Sequence, residues 1–224
     1  MHRDDVAHLD RLARRVDGPG PVTVLDPLAR NLLAADQAAG LGPAGGKWSV
    51  TGSEIILYGG GLSPYVPNTV SVETVPAVGY TNLQWRHPTF HGIPVVAGQT
   101  YTWWAPGLVA SGAVMMSARV AWYDASRTYL STSAAPAAGV PLVAAAPVNA
   151  AYVQPYVAFT AKGVWELGPS VFAAGDIAAA LLAGELPPGE GTPPFSITRY
   201  SHVATDGDGA YRDIGLELVE VVTA

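Results

Sequence analysis

From residue 22 onward the chain runs in short segments whose side chains alternate with a period of two. Each segment is closed by Gly, Pro, Asn, Asp or Ser. The candidates are 48–50, 54–57, 69–75, 100–108, 114–124, 129–131, 151–159, 164–167, 195–199 and 211–222. In 118–123, Ala118, Val120 and Trp122 share one face, and Arg119, Ala121 and Tyr123 share the other. In 152–159, Val153, Val157 and Phe159 point one way, and Tyr152, Gln154 and Tyr156 the other. Period two marks strands whose faces see different surroundings. Many such strands between frequent turns fit an antiparallel sandwich or barrel. A parallel sheet would need crossover helices between strands. Only 176–183 reads as an interior helix, with Asp176 as a possible cap and Gly184 past its end.

The first segment differs. In 4–16, Val6, Leu9, Leu12, Ala13 and Val16 fall on one helical face, with acids at the start and Arg14 and Arg15 at the end. Gly18-Pro19-Gly20-Pro21 stops it. A single short helix is marginal alone, so it must dock on its own domain or on a neighbouring chain. Residues 124–128 (Asp-Ala-Ser-Arg-Thr) suit a type I turn in a hairpin. The Pro- and Gly-rich 184–194 is the strongest loop. The expected organisation is an N-terminal helix and arm over 1–28 and one β-sandwich over 29–224.

Charged residues make up 13% of the 224-residue chain, against roughly 25% in an ordinary domain, and 49% is hydrophobic. That excludes a solvated disordered chain. A net charge of −6 argues against a nucleic-acid partner, which calls for a basic face. The absence of cysteine excludes disulfides and thiolate metal sites. Charged residues break every candidate signal sequence near the start. The best apolar run, 137–148, is short and holds Pro141 and Pro147, so no membrane span is expected. The protein is expected to stay in the cytosol, or to leave it without a cleaved signal. The two lysines, Lys47 and Lys162, among abundant Ala, Gly, Pro and Val look like a GC-rich genome.

Groups for catalysis are sparse. There is no cysteine and no Gly-x-Ser-x-Gly turn. The carboxylates are scattered singly, and Glu54 and Glu73 on neighbouring strands could reach glycosidase separation. His87-Pro88-Thr89-Phe90-His91 has zinc-like spacing, but Pro88 works against a helix and no third ligand lies near. Two loop histidines are the simpler reading. Asp206-Gly207-Asp208-Gly209 looks like a fragment of a calcium loop without its bidentate glutamate, and a plain turn is the better reading. Gly59-Gly60-Gly61 does not match a phosphate-binding fingerprint. The expectation is no catalytic residue, no metal and no cofactor.

The aromatic residues are the most suggestive group. Trp85, Trp103, Trp104, Trp122 and Trp165 occur with Tyr101, Tyr123 and Tyr129. Alternation puts Tyr101 and Trp103 on one face and Trp104 on the other, and likewise separates Trp122 from Tyr123. Exposed Trp and Tyr suit the apolar face of a sugar ring or a protein partner; otherwise the rings fill the core. Trp85, Trp103, Trp104 and Tyr123 are the candidate carbohydrate- or partner-binding residues.

Asn31-Leu32-Leu33, Trp48, 97–102 (Ala-Gly-Gln-Thr-Tyr-Thr), 118–124 (Ala-Arg-Val-Ala-Trp-Tyr-Asp) and Tyr129-Leu130-Ser131-Thr132 resemble carbohydrate-binding-module jelly rolls. The likeness spans roughly residues 30–160. The endings 194–201 and 211–221 look like the close of minor tail proteins of actinobacterial phages. The resemblance implies an all-β antiparallel jelly-roll β-sandwich with a short N-terminal helix or arm. It implies a non-enzymatic, structural virion component assembled in the host cytoplasm. Such a minor tail protein would contact other virion proteins and copies of itself, and could touch host cell-surface glycans. The alternatives are a carbohydrate-binding module of a glycan-active protein and a capsid decoration protein. A sandwich-type hydrolase is disfavoured.

Overall fold

The computed structural model describes residues 1, 3–16, 20–25, 31–42, 46–51, 55–58, 68–74, 80–205 and 211–221. In chain order the elements begin with α1 (Arg3–Ala13), β1 (Val22–Thr23), α2 (Ala35–Ala39), β2 (Trp48–Thr51), β3 (Ile55–Tyr58) and β4 (Thr69–Val72). Next come β5 (Thr81–Trp85), β6 (Ile93–Pro94), β7 (Thr100–Trp104), α3 (Pro106–Ala110), β8 (Met115–Tyr123) and β9 (Tyr129–Ala134). The last are β10 (Leu142–Ala145), β11 (Tyr152–Phe159), β12 (Gly163–Glu166), β13 (Val171–Ala174), α4 (Ala178–Leu182), β14 (Pro194–Ala204) and β15 (Arg212–Glu220). The protein is mostly β, and all pairings among these strands are antiparallel.

The chain divides into two compact units, 25–192 and 1–24 with 193–224. This differs from the expected boundary after residue 28. The cause is pairing: β14 lies between β1 and β15, so the C-terminal hairpin groups with the N-terminal segment.

In the larger unit the main sheet has the order β2-β5-β11-β8-β9, with β6 also on β11. Smaller sheets run β10-β7-β13 and β12-β4-β3. The inward set that alternation gives in β8 and β11 is buried as the sequence suggests, and Ala121 and Tyr156 of the opposite face are covered too. Val120, Trp122, Val153, Val157 and Phe159 are all buried. The β7 residues meet this face: Trp103 packs edge-on against Trp85 with ring centroids 4.8 Å apart. The Trp103 indole N–H donates to Tyr156 O at 3.2 Å, which satisfies the buried polar atom. Tyr101 stacks on Phe172 at 5.4 Å. Large rings with few polar atoms thus fill the space between the layers.

Local chemistry explains the differences in element ends. The run 100–108 stops as a strand at Trp104, because Pro106 opens α3 at its first turn. The interior helix starts two residues later than expected, and Asp176 Oδ1 accepts the Ala178 N–H at 3.1 Å beside it. The 124–128 turn forms as expected. Arg127 N–H donates to Asp124 O at 3.0 Å, Asp124 Oδ1 accepts the Thr128 N–H at 2.8 Å, and Arg127 takes φ 69°. A type I turn followed by a left-handed residue is a common hairpin closure.

The loop after α4 is ordered against the start of its own unit. Asn31 is fully buried, and its amide donates to Ser170 O and Pro187 O, each at 3.1 Å. Its Oδ1 accepts the N–H groups of Leu33 and Phe172, each at 3.2 Å. Glu190 and Gly191 N–H groups donate to Asn31 O and Leu33 O. The Asn-Leu-Leu segment is therefore a structural clasp.

In the smaller unit, α1 packs against β14 and β15. Val6 is buried, while Val16, expected on the same face, is 62% exposed. The Tyr200 hydroxyl donates to Val6 O at 3.2 Å, and Arg15 reaches Ser196 Oγ at 3.1 Å.

Candidate functional site

Cross-strand register builds a row of tyrosines on the face of the main sheet opposite the core. Tyr123 of β8 pairs with Tyr129 of β9 on one side and Tyr152 of β11 on the other. Adjacent strands lie about 4.8 Å apart, so the three phenols form a stripe across the sheet. Tyr123 and Tyr129 meet edge to face at 6.0 Å. Tyr129 is 55% exposed, and its hydroxyl shares a hydrogen bond with Thr132 Oγ1 at 2.9 Å. Tyr123 and Tyr152 are half-buried.

The loop between β5 and β6 extends this stripe. His91 packs edge-on against Tyr123 at 4.6 Å and lies 6.4 Å from Tyr152. Phe90 stacks over Tyr152 at 6.4 Å. Gly92 brings the loop against β11. A Cβ there would stand 2.5 Å from Val153 O, so only glycine fits without movement. Gln154 Nε2 fixes the same loop by donating to His91 O at 2.7 Å.

His87 organises the loop from inside. Its Nδ1 accepts the N–H groups of Thr89 (3.1 Å) and Phe90 (2.9 Å). That leaves Nε2 to donate to Thr192 O at 2.9 Å. This is the neutral, Nε2–H form, with both nitrogens occupied by backbone. Burial holds its pKa below the ordinary histidine value, partly offset by the bond to Thr192. His91 is also held low, by burial first and then by the positive charges of Arg127 and Arg86. Burial, with the neighbouring Tyr129 and Tyr156, raises the Tyr123 phenol above its ordinary value.

The expected site residues separate. Trp85 and Trp103 are fully buried in the core, so neither ring has a free face for a sugar or partner. This corrects the expectation for both, and the cause is that both tryptophans fall on the inward parity of their strands. Trp104 points to the other side of β7, as alternation predicts. There it packs with Val171, Ala173, Ile177 and Leu181 in a second small cluster involving α4. Tyr123 alone lies in the surface stripe. Phe90, His91 and Tyr152 were not candidates. The missing signal was register, since the sequence shows that Tyr123 and Tyr152 face outward but not that they are neighbours.

Other chemistry is thin. Among the described residues, no group of three or more His, Asp or Glu could hold a metal ion. The His87–His91 pair is two loop histidines, one of them committed to backbone. Asp206, Asp208, Glu54 and Gly59-Gly60-Gly61 lie outside the described residues, and Glu73 is exposed. A cleft of about 400 Å³ beside α3 is lined by Gly107, Ser111, Gly168 and Pro169, and Glu166 is its sole ionisable side chain. A lone carboxylate does not make an acid/base pair. No helix among the described residues is long and apolar enough to cross a membrane.

No protein-family model matches the chain, and no curated protein matches it. Among solved structures, it is similar to the enzymatically active domain of tailspike protein 4 of bacteriophage CBA120, at 14% identity and a TM-score of 0.44. The match covers 67% of this chain and 22% of that one.

Proposed function

We propose that this chain is a non-enzymatic virion component, a phage minor tail protein built on a jelly-roll sandwich. It docks on other virion proteins or on copies of itself, and it presents an aromatic surface to host glycans. The observation that carries the binding part is the stripe of Tyr129, Tyr123 and Tyr152 with Phe90 and His91 beside it. These rings are partly exposed, and they are held by register, by the Asp124 turn and by the His87 loop. Pre-set rings lose little side-chain freedom on binding, and their faces suit the C–H face of a pyranose. The tail setting rests on the sequence resemblance of residues 30–160 and of the C-terminal strands. The low charge suits a surface that other macromolecules cover.

The test has two arms. A glycan array probed with the parent protein, Tyr152→Ala and Tyr129→Ala should show binding that weakens at least about tenfold, or about 1.4 kcal/mol, in the variants. No binding by the parent ends the glycan part. Antibody labelling of purified particles of the encoding phage should decorate the tail. Labelling of the capsid shell instead would favour the decoration reading.

A further inference from the structure

We infer that β15 is a self-pairing edge, through which two copies of this chain join in an antiparallel, two-fold symmetric sheet. This names a surface for the self-association proposed above and rests on that reading for its setting. The order β1-β14-β15 leaves one side of the nine-residue β15 without a strand among the described residues. Backbone bonds fix which groups face that side. Thr205 N–H donates to Tyr211 O at 3.1 Å, and Val221 N–H donates to Pro194 O at 2.8 Å. Odd positions therefore turn to β14, and the N–H and C=O groups of even positions turn outward. At Arg212 the outward groups are closed by Met1: N–H to Met1 O, and Met1 N to Arg212 O, both at 3.1 Å. Among the described residues Ile214, Leu216, Leu218 and Glu220 remain open on this side, and a strand edge of this kind is a template for pairing.

The sequence of the edge selects its partner. A two-fold axis normal to a sheet must centre on one residue, because side chains on the same face must meet. Centred on Leu216, the pairing sets Leu216 opposite itself and Ile214 opposite Leu218, while Arg212, whose outward backbone groups Met1 already holds, would face Glu220 through side chains alone. Asp213 then meets Val219, and Gly215 meets Glu217. Ile214, Leu216 and Leu218 meet apolar partners, Asp213 and Glu217 meet uncharged residues, and no like charges face each other. Centring on Glu217 sets two glutamates directly opposite, and centring on Gly215 sets Asp213 against Glu217; both oppose pairing. Leu216, 40% exposed, would then become covered. The Met1 clasp limits the ungated contact to the stretch between Ile214 and Leu218.

The whole chain tests this. Light scattering on a sizing column should give twice the monomer mass at high concentration, and Leu216→Pro should return it to monomer. A circular-dichroism spectrum matching the parent shows that the variant folds. The chain has no cysteine, so single substitutions report register independently of folding losses. Opposed residues in a hydrogen-bonded pair lie about 5.5 Å apart, within disulfide reach. Mild oxidation should link Leu216→Cys into covalent dimers several-fold faster than Glu217→Cys. A strict monomer, or equal linking at both positions, overturns the proposal. A dimer that survives Leu216→Pro and is not linked by Leu216→Cys puts self-association elsewhere, and removes the edge while leaving the virion reading. A glycan-binding monomer removes self-association alone.

Discussion

Asn31 Oδ1 accepts the Phe172 N–H at 3.2 Å across 141 positions of sequence, and Leu32 N–H donates to Phe172 O at 2.7 Å beside it. One fully buried carboxamide thus joins the start of the larger unit, β13 and the loop after α4.

Replacing Asn31 should therefore cost far more than its size suggests. Asn31→Ala leaves several buried backbone groups without partners, at about 1–3 kcal/mol for each unsatisfied group. The expected loss is about 3 kcal/mol or more in chemical denaturation. A loss below about 1 kcal/mol would mean that the carboxamide is not the clasp.

The aromatic residues divide by role. Trp103→Ala should cost about 3–5 kcal/mol, as large-to-small changes of a core aromatic do. Tyr129→Ala should cost less than about 1 kcal/mol, because the ring is mostly exposed. Glycan binding should show the reverse order of sensitivity when variants are compared under conditions where both stay folded. Loss of binding on Tyr129→Ala with unchanged stability is the outcome the surface stripe requires.

The His87 loop should make stability depend on pH. The folded pKa of His87 lies below the unfolded value of about 6.5. Between those two values the unfolded chain holds more protons, so stability rises with pH in that window. It is fully present above about pH 6.5 and is lost as pH falls from there toward the folded pKa. Protonation would also remove the Nδ1 acceptor used by Thr89 and Phe90. His87→Asn offers an acceptor without a titrating ring, so its melting temperature should fall less between pH 7.5 and 5. The slope should shrink and not vanish, because His91 is shifted in the same direction. An unchanged slope would remove His87 from this role.

Gly92→Ala should separate loop from sheet. The added methyl meets Val153 O at 2.5 Å, and that oxygen belongs to strand backbone with little room to yield. Hydrogen exchange should rise at residues 89–92, and Phe90 should lose its place over Tyr152. Glycan affinity is expected to fall even where the melting temperature changes little. Wild-type exchange in the variant would show that the loop tolerates the methyl.

Much of the larger unit was legible because its strands alternate. In β8 and β11 the inward residues are apolar or aromatic and are buried, but Ala121, Tyr156 and Ala158 of the opposite parity are buried as well. The run 81–85 alternates as well, with Thr81, Leu83 and Trp85 inward. Its Asn82 and Gln84 speak weakly for a strand, so the sequence reading passes over it. The extension of 100–108 through Leu108 fails because the period continues while Pro106 changes the backbone. The site was legible only in part. Tyr123 is outward by parity, but Tyr152 and Tyr129 become its neighbours through register across hairpins and loops. That information is non-local. Trp85 and Trp103 misled because tryptophan suits a sugar and a core equally.

Beyond β14, among the described residues, the rim opposite β15 holds just Val22 and Thr23 in strand form. Two residues offer too few main-chain groups to recruit a further strand. Within this small sheet, the proposed pairing would therefore use the long edge once and leave only the short one.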